Sequence, residues 1–141
     1  MTRQLVVTGA ARGIGEAIAR AAASDGYRVG LIDVDPLVTE VASSIPDAVA
    51  GVTSSADPDG VAAFLETFGG ADVVVNNAGI VRFGPLLDQR LEDWRSVVEV
   101  NLTGTFVVST AAARQWVASG RGGSIVNVTS MNGVMPGPNA G

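Results

Sequence analysis

Several residue types that often carry chemistry are missing from this sequence of 141 residues. It has no cysteine and no histidine, so disulfides and thiolate nucleophiles are excluded and the usual zinc ligands are absent. We therefore predict no metal site. Lysine is also absent, because all nine basic residues are arginines, and tyrosine occurs once, at Tyr27. A mechanism that requires a lysine amine or a second tyrosine cannot be completed by these residues.

Positive charge is scarce as well. The net charge of -5 argues against a nucleic-acid partner. Hydrophobic residues make up 47% of the sequence, which argues against disorder, and the length suffices for one domain with a core. The sequence shows neither a signal-peptide pattern nor an apolar run of membrane-spanning length. These features favour a soluble, cytoplasmic protein without a membrane partner.

A glycine-rich stretch near the start of the chain organises the rest. The apolar run Leu5–Val7 predicts a buried strand over residues 4–8, and an apolar stripe predicts a helix over residues 13–24. Between them, glycines at 9, 13 and 15 permit a tight turn and a close approach of backbone to a ligand. The free N–H groups at the helix N-terminus suit a phosphate, although a tight turn without a ligand is the alternative.

An acidic residue follows at the end of the second predicted strand, Arg28–Asp33. In dinucleotide-binding proteins, an acid about 20 residues beyond the glycines bonds the ribose hydroxyls of NAD. Asp33 has this spacing, and its charge would repel the 2′-phosphate of NADP. Val34 follows where an NADP-binding protein would favour a cation, so we predict NAD. Asp35 is a competing candidate, and a solvated charge at a strand end is the alternative without a ligand.

Strands and helices alternate along the whole sequence. This alternation, with apolar strands, predicts an α/β fold with a doubly wound parallel sheet of Rossmann type. We predict one domain over residues 1–141 with a ligand crevice at the carboxyl ends of its strands. The further predicted strands cover residues 48–52, 72–76 and 124–128, and the further helices cover residues 37–44, 58–68 and 91–120.

Polar residues stand where these strands end. The run Asn76-Asn77-Ala78-Gly79 follows the fourth strand, and Ser130 follows the fifth. Asn101 and Gly104 interrupt the long helix at a cost of about 0.5–1 kcal/mol each against alanine. Without a ligand, these residues would be explained by an Asx turn, a strand-end hydroxyl and a helix kink.

Four of these motifs together resemble the short-chain dehydrogenase/reductase family: Thr8-Gly9-x-x-x-Gly13-x-Gly15, Asn76-Asn77-Ala78-Gly79, Asn101-x-x-Gly104 and Ser130. The resemblance implies a Rossmann-type fold, a nicotinamide cofactor, and hydride transfer between that cofactor and an alcohol or carbonyl substrate. It implies that Ser130 orients the substrate oxygen and that the kink at Asn101 frees a carbonyl to hold a water. The predicted cofactor-binding residues are Gly9, Arg12, Gly13, Ile14, Gly15, Asp33, Val34, Val52, Asn77, Ala78 and Gly79.

The sequence departs from the family pattern at two places. An adenine-binding Asp of the family is replaced by Gly51, which leaves the Val52 backbone as the predicted contact. The family also has a Tyr-x-x-x-Lys motif a little over a dozen residues beyond the serine, and these 141 residues do not contain it. The phenol of that Tyr is the general acid/base.

We therefore predict a sheet truncated after the fifth strand and a chain that carries only the cofactor-binding half of an alcohol dehydrogenase or ketoreductase, inactive alone. The alternative is a nucleotide-binding module that is non-catalytic or needs a partner polypeptide. Ile125, Val126 and Val128 are as apolar as a covered strand requires, which favours the first hypothesis. Family members usually associate through two long helices, of which residues 91–120 supply one, so the resemblance implies a homo-oligomer at full length.

Overall fold

The computed structural model describes residues 2–135 as alternating strands and helices. The strands are Gln4–Thr8 (β1), Arg28–Asp33 (β2), Val49–Val52 (β3), Val73–Asn76 (β4) and Ser124–Asn127 (β5). The helices are Gly13–Ser24 (α1), Leu37–Ser43 (α2), Pro58–Phe68 (α3), Leu91–Val98 (α4) and Gly104–Ala118 (α5). Short 3₁₀ turns cover Leu86–Asp88 and Met131–Gly133. The predicted order of elements is confirmed.

All five strands run parallel in the order β3-β2-β1-β4-β5. Strand β1 lies in the centre, where Leu5 is in register with Val29 of β2 and with Val73 of β4. The chain therefore winds outwards in both directions from β1, and a crevice opens between the carboxyl ends of β1 and β4. This arrangement confirms the predicted doubly wound parallel sheet.

The core lies on both faces of the sheet because successive side chains of a strand point to opposite sides. Val7 packs with Ala19 and Val38 on the side of α1 and α2. Its neighbour Val6 packs with Leu65 and Val108 on the side of α3 and α5. Both valines are fully buried, so β1 is held from both faces and carries its carboxyl end to a fixed position.

The long helix predicted over residues 91–120 is interrupted. A π-helical turn, Glu99–Thr103, separates α4 from α5 and contains Asn101. π-helical turns are rare in proteins, and those that do occur are often found at functional sites. Gly104 then opens α5, and a Cβ there would lie 2.4 Å from the Oγ of Ser55. The glycine therefore lets the helix approach the segment that follows β3.

The run from Leu91 to Ala118 is long and apolar enough to cross a membrane by length and composition alone. Our expectation that no segment meets these two criteria is therefore wrong. Core helices of globular proteins meet the same criteria, and in this fold the run contributes Val108 and Ala112 to the core against the sheet.

Candidate cofactor and substrate site

The glycine-rich loop between β1 and α1 is shaped by close backbone contacts. A Cβ on Gly15 would lie 2.1 Å from the carbonyl oxygen of Gly9 and 2.6 Å from the Nδ2 of Asn77. A Cβ on Gly9, whose φ is +66°, would lie 2.8 Å from the Cα of Ala78. Gly13 has a φ of +60° with open space around it. Gly9 and Gly15 are therefore needed because there is no room for a side chain, and Gly13 is needed for its left-handed backbone conformation.

Thr8 and Asn77 join the ends of β1 and β4. The Oγ1 of Thr8 accepts hydrogen bonds from the N–H groups of Asn77 (3.1 Å) and Ala78 (3.0 Å). In return, the Nδ2 of Asn77 donates to the carbonyl oxygens of Thr8 (3.0 Å) and Gly9 (3.2 Å). Asn77, predicted as a cofactor residue, thus also holds the glycine loop. The role of Thr8 as a double acceptor was not predicted.

Asp33 reaches the same loop from β2. Its Oδ2 accepts a hydrogen bond from the N–H of Ala11 (2.9 Å), and its Oδ1 accepts one from the N–H of Asp35 (3.0 Å). Asp35 accepts from the N–H of Leu37 (2.9 Å) and forms an ion pair with Arg12. Two carboxylates and one guanidinium therefore meet at the edge of the crevice.

The crevice is a cleft of about 510 Å³. It is lined by eight predicted cofactor residues, namely Gly9, Arg12, Ile14, Asp33, Val34, Asn77, Ala78 and Gly79. Gly13, Gly15 and Val52 are outside this lining in the described part of the chain. The residues just after β3, rather than Val52, line the cleft at this point. Asp35, the competing candidate for the acidic position, also lines the cleft. The unpredicted lining residues are Ile32, Thr53, Ser54, Ser55, Ile80 and Val100.

A second cavity of about 510 Å³ adjoins the first and shares Ile80 with it. Both predicted catalytic residues, Ser130 and Asn101, line this second cavity. Most of its remaining lining is apolar, including the rings of Phe83 and Trp94. The structure thus brings the two predicted catalytic residues to one cavity beside the cofactor cleft.

Asn101 is fixed by its neighbours across this cavity. Its side chain accepts from the N–H of Ile80 (2.8 Å) and donates to the carbonyl oxygen of Ile80 (2.9 Å). Its main-chain carbonyl accepts from the hydroxyl of Thr105 (2.9 Å), and a carbonyl oxygen has a second lone pair for a further donor. The Oγ of Ser130 accepts from the N–H of Asn132 (3.2 Å). Ser130 therefore completes a strand-end turn while it faces the cavity.

Residues 3–141 match the family model for short chain dehydrogenases. This chain belongs to that family. It is 38% identical to a 3-oxoacyl-[acyl-carrier-protein] reductase from Synechocystis, covering 94% of this chain and 58% of the relative. It is 39% identical to an L-rhamnose 1-dehydrogenase (NAD(P)(+)) from Azotobacter vinelandii, covering 96% and 58%.

A solved structure gives the same picture of this short-chain dehydrogenase chain. The 3-oxoacyl-[acyl-carrier protein] reductase of Brucella melitensis with bound NAD superposes with a TM-score of 0.89 at 35% identity. The superposition covers 98% of this chain and 57% of that structure. The chain therefore spans somewhat more than half the length of the relatives it matches, and its fold is that of an oxidoreductase family.

Proposed function

We propose that this short-chain dehydrogenase chain carries the cofactor-binding half of an oxidoreductase that transfers a hydride between NAD(H) and an alcohol or carbonyl substrate. The observation that supports this most is the pair of adjoining cavities. One is formed by the glycine loop and Asp33, and the other is lined by Ser130 and Asn101, with Ile80 between them. Cofactor and substrate would thus bind side by side.

The residues present fit a dinucleotide. At Gly9 and Gly15 the loop backbone is packed so closely that a Cβ on either residue would clash with neighbouring backbone atoms. Because these glycines have no side chain, the loop backbone can approach a pyrophosphate closely. The N-terminus of α1 adds N–H groups and a partial positive charge. Asp33 is anchored at the cleft edge, where a carboxylate suits ribose hydroxyls. The nicotinamide supplies the hydride acceptor or donor when it is bound.

The residues of the second cavity would act on the substrate. The hydroxyl of Ser130 can donate to a carbonyl oxygen and so orient the reacting carbon. Asn101, hydrogen-bonded to both the main-chain N–H and the carbonyl oxygen of Ile80, keeps the wall between the two cavities in place. Phe83 and Trp94 provide apolar surface that a substrate would cover on binding. This combination suits a small alcohol or ketone.

We propose that these 141 residues alone do not turn over a substrate. They contain no lysine, and Tyr27 packs against the core while the guanidinium of Arg3 lies 5.1 Å from its ring centroid. The phenol is therefore engaged in packing. The general acid/base would have to come from polypeptide outside this sequence.

The exposure of β5 on both faces of the sheet, and of Val128 just beyond it, supports the proposal that further polypeptide covers this edge. Ile125, Val126 and Val128 are 41%, 49% and 40% exposed, and such apolar edges favour association. This polypeptide is either the rest of the same chain or a separate partner. We propose that the whole protein is a soluble, cytoplasmic homo-oligomer without a membrane partner. We also propose that it has no nucleic-acid partner, in keeping with the net charge of -5.

Titration of NADH against the purified chain tests the proposal. We expect saturable binding, measured by calorimetry, together with no loss of NADH absorbance when ketones are added. Circular dichroism would establish that the sample is folded. A folded chain that binds no NADH would contradict the proposed cofactor site, and NADH-dependent reduction of a ketone would contradict the proposed inactivity.

Replacing Asp33 by asparagine is expected to weaken NAD binding about tenfold. The variant loses a charged acceptor for the ribose, and hydrogen bonds to charged groups contribute about 1.5–3 kcal/mol. Asp25→Asn removes the same charge from an exposed site at the end of α1 and should leave the dissociation constant unchanged. Equal affinities of the two variants, measured by calorimetry, would remove Asp33 from the proposed site.

A further inference from the structure

Arg12 and Asp35 form an ion pair at the edge of the cofactor cleft. Both residues line the cleft, and Arg12 is the single basic residue in its lining among residues 2–135. Arg12 precedes the first residue of α1 and thus stands beside the glycine loop. Asp35 lies two residues beyond Asp33, on the side of the cleft formed by β2. The pair therefore joins the glycine loop to the acidic end of β2.

The two members of the pair are held very differently. The Oδ1 of Asp35 accepts from the N–H of Leu37 (2.9 Å), which fixes the carboxylate at the start of α2. The side chain of Arg12 is 69% exposed and that of Asp35 is 36% exposed. Exposed ion pairs contribute about 0–1 kcal/mol to folding. This pair therefore adds little to stability, and a stronger anion could draw Arg12 away from it.

The two cofactors differ by a phosphate on the ribose at which Asp33 is proposed to act. In NADP-binding proteins of this architecture, an arginine near the ribose accommodates that phosphate. A guanidinium binds phosphate through paired, charge-assisted hydrogen bonds. Arg12 is a suitable cation, but Asp35 neutralises it in the ion pair.

We propose that Asp35 is a specificity-determining residue, which favours NAD over NADP by holding Arg12 in an ion pair. This inference rests on the proposed cofactor site. Asp33 discriminates by direct repulsion of the phosphate, whereas Asp35 acts through Arg12. Removing the charge of Asp35 should therefore improve NADP binding only while Arg12 is present.

Calorimetric titrations with NAD and NADP test the inference in four proteins: the original chain, Asp35→Asn, Arg12→Ala, and the double variant. The asparagine keeps an acceptor for the N–H of Leu37. We expect Asp35→Asn to lower the ratio of the NADP to the NAD dissociation constant about tenfold, the effect of roughly one charge-assisted interaction. The double variant should lose this gain. Asp25→Asn, with the same change in net charge, should leave the ratio unaltered.

The outcomes separate this inference from the proposed function. An unchanged ratio in Asp35→Asn, with NAD still bound by the original chain, would overturn the role of Asp35 alone. An equal gain in the double variant would show plain charge repulsion and would overturn the role of Arg12. Failure of the folded original chain to bind either cofactor would overturn the proposed cofactor site and this inference with it.

Discussion

Replacing Gly15 by alanine is expected to reduce NAD binding by at least about tenfold and to destabilise the fold. The new Cβ would lie 2.1 Å from the carbonyl oxygen of Gly9 and 2.6 Å from the Nδ2 of Asn77. The carbonyl belongs to the loop backbone, so it can move only if the loop changes shape. Overpacking of this kind costs about 1–3 kcal/mol, and a tenfold loss of binding corresponds to about 1.4 kcal/mol.

Alanine is also the better helix former, by about 1 kcal/mol over glycine, and this gain opposes the clash. The reverse exchange Ala17→Gly at an exposed position of α1 measures the helix-propensity effect alone. Urea unfolding and NAD titration of both variants would separate the two effects. A Gly15→Ala variant that is more stable than the original chain and binds NAD equally well would contradict the observed packing.

Replacing Thr8 by valine is expected to lower the free energy of unfolding by about 2–4 kcal/mol. Thr8 is 1% exposed. Its hydroxyl oxygen accepts hydrogen bonds from the N–H groups of both Asn77 and Ala78. Valine has nearly the same shape but leaves both N–H groups without this acceptor. A buried unsatisfied donor costs about 1–3 kcal/mol. The N–H groups of Asn77 and Ala78 are partly buried, so each should cost toward the lower end, and together they outweigh the small gain from a more apolar side chain.

Thr8→Ser is the matched control because it retains the hydroxyl and removes one methyl group. Its expected cost is about 1 kcal/mol, the effect of one buried carbon. Urea denaturation monitored by circular dichroism would compare the two. If serine proved as destabilising as valine, loss of one methyl group would cost as much as loss of both hydrogen bonds, and the two bonds would not have the expected weight.

The order of strands and helices could be predicted because the apolar periodicity is local and strong. The valines of β1 and β4 and the stripe of α1 depend only on neighbours in sequence. Part of the lining of the first cavity could be predicted because the carboxyl ends of parallel strands meet at one edge. In the second cavity only Ser130 and Asn101 were predicted, and both came from the family resemblance. NAD preference, the catalytic roles of Ser130 and Asn101, and the oligomeric state remain predictions.

Contacts between distant segments could not be predicted in this way. The ion pair of Arg12 with Asp35 depends on how two loops meet, and no spacing along the chain encodes it. Gly51 is another example, since it replaces an acid of the family pattern. A Cβ there would lie 2.4 Å from the ring of Phe64 in α3, so the position must accommodate an aromatic ring. Only the packed helix reveals this reason.

The central position of β1 has a consequence for the order in which the molecule folds. The hydrogen bonds from Asn77 to Thr8 close a sequence separation of 69 residues. Closing so long a loop costs entropy before the contact stabilises anything. The unit β1-α1-β2 can form from local sequence, and Asp33 of β2 already holds Ala11 of its glycine loop. The bonds from Asn77 to Thr8 and Gly9 are added only when β4 docks beside β1. We therefore expect the cofactor cleft to be completed late in folding, after most of its wall exists.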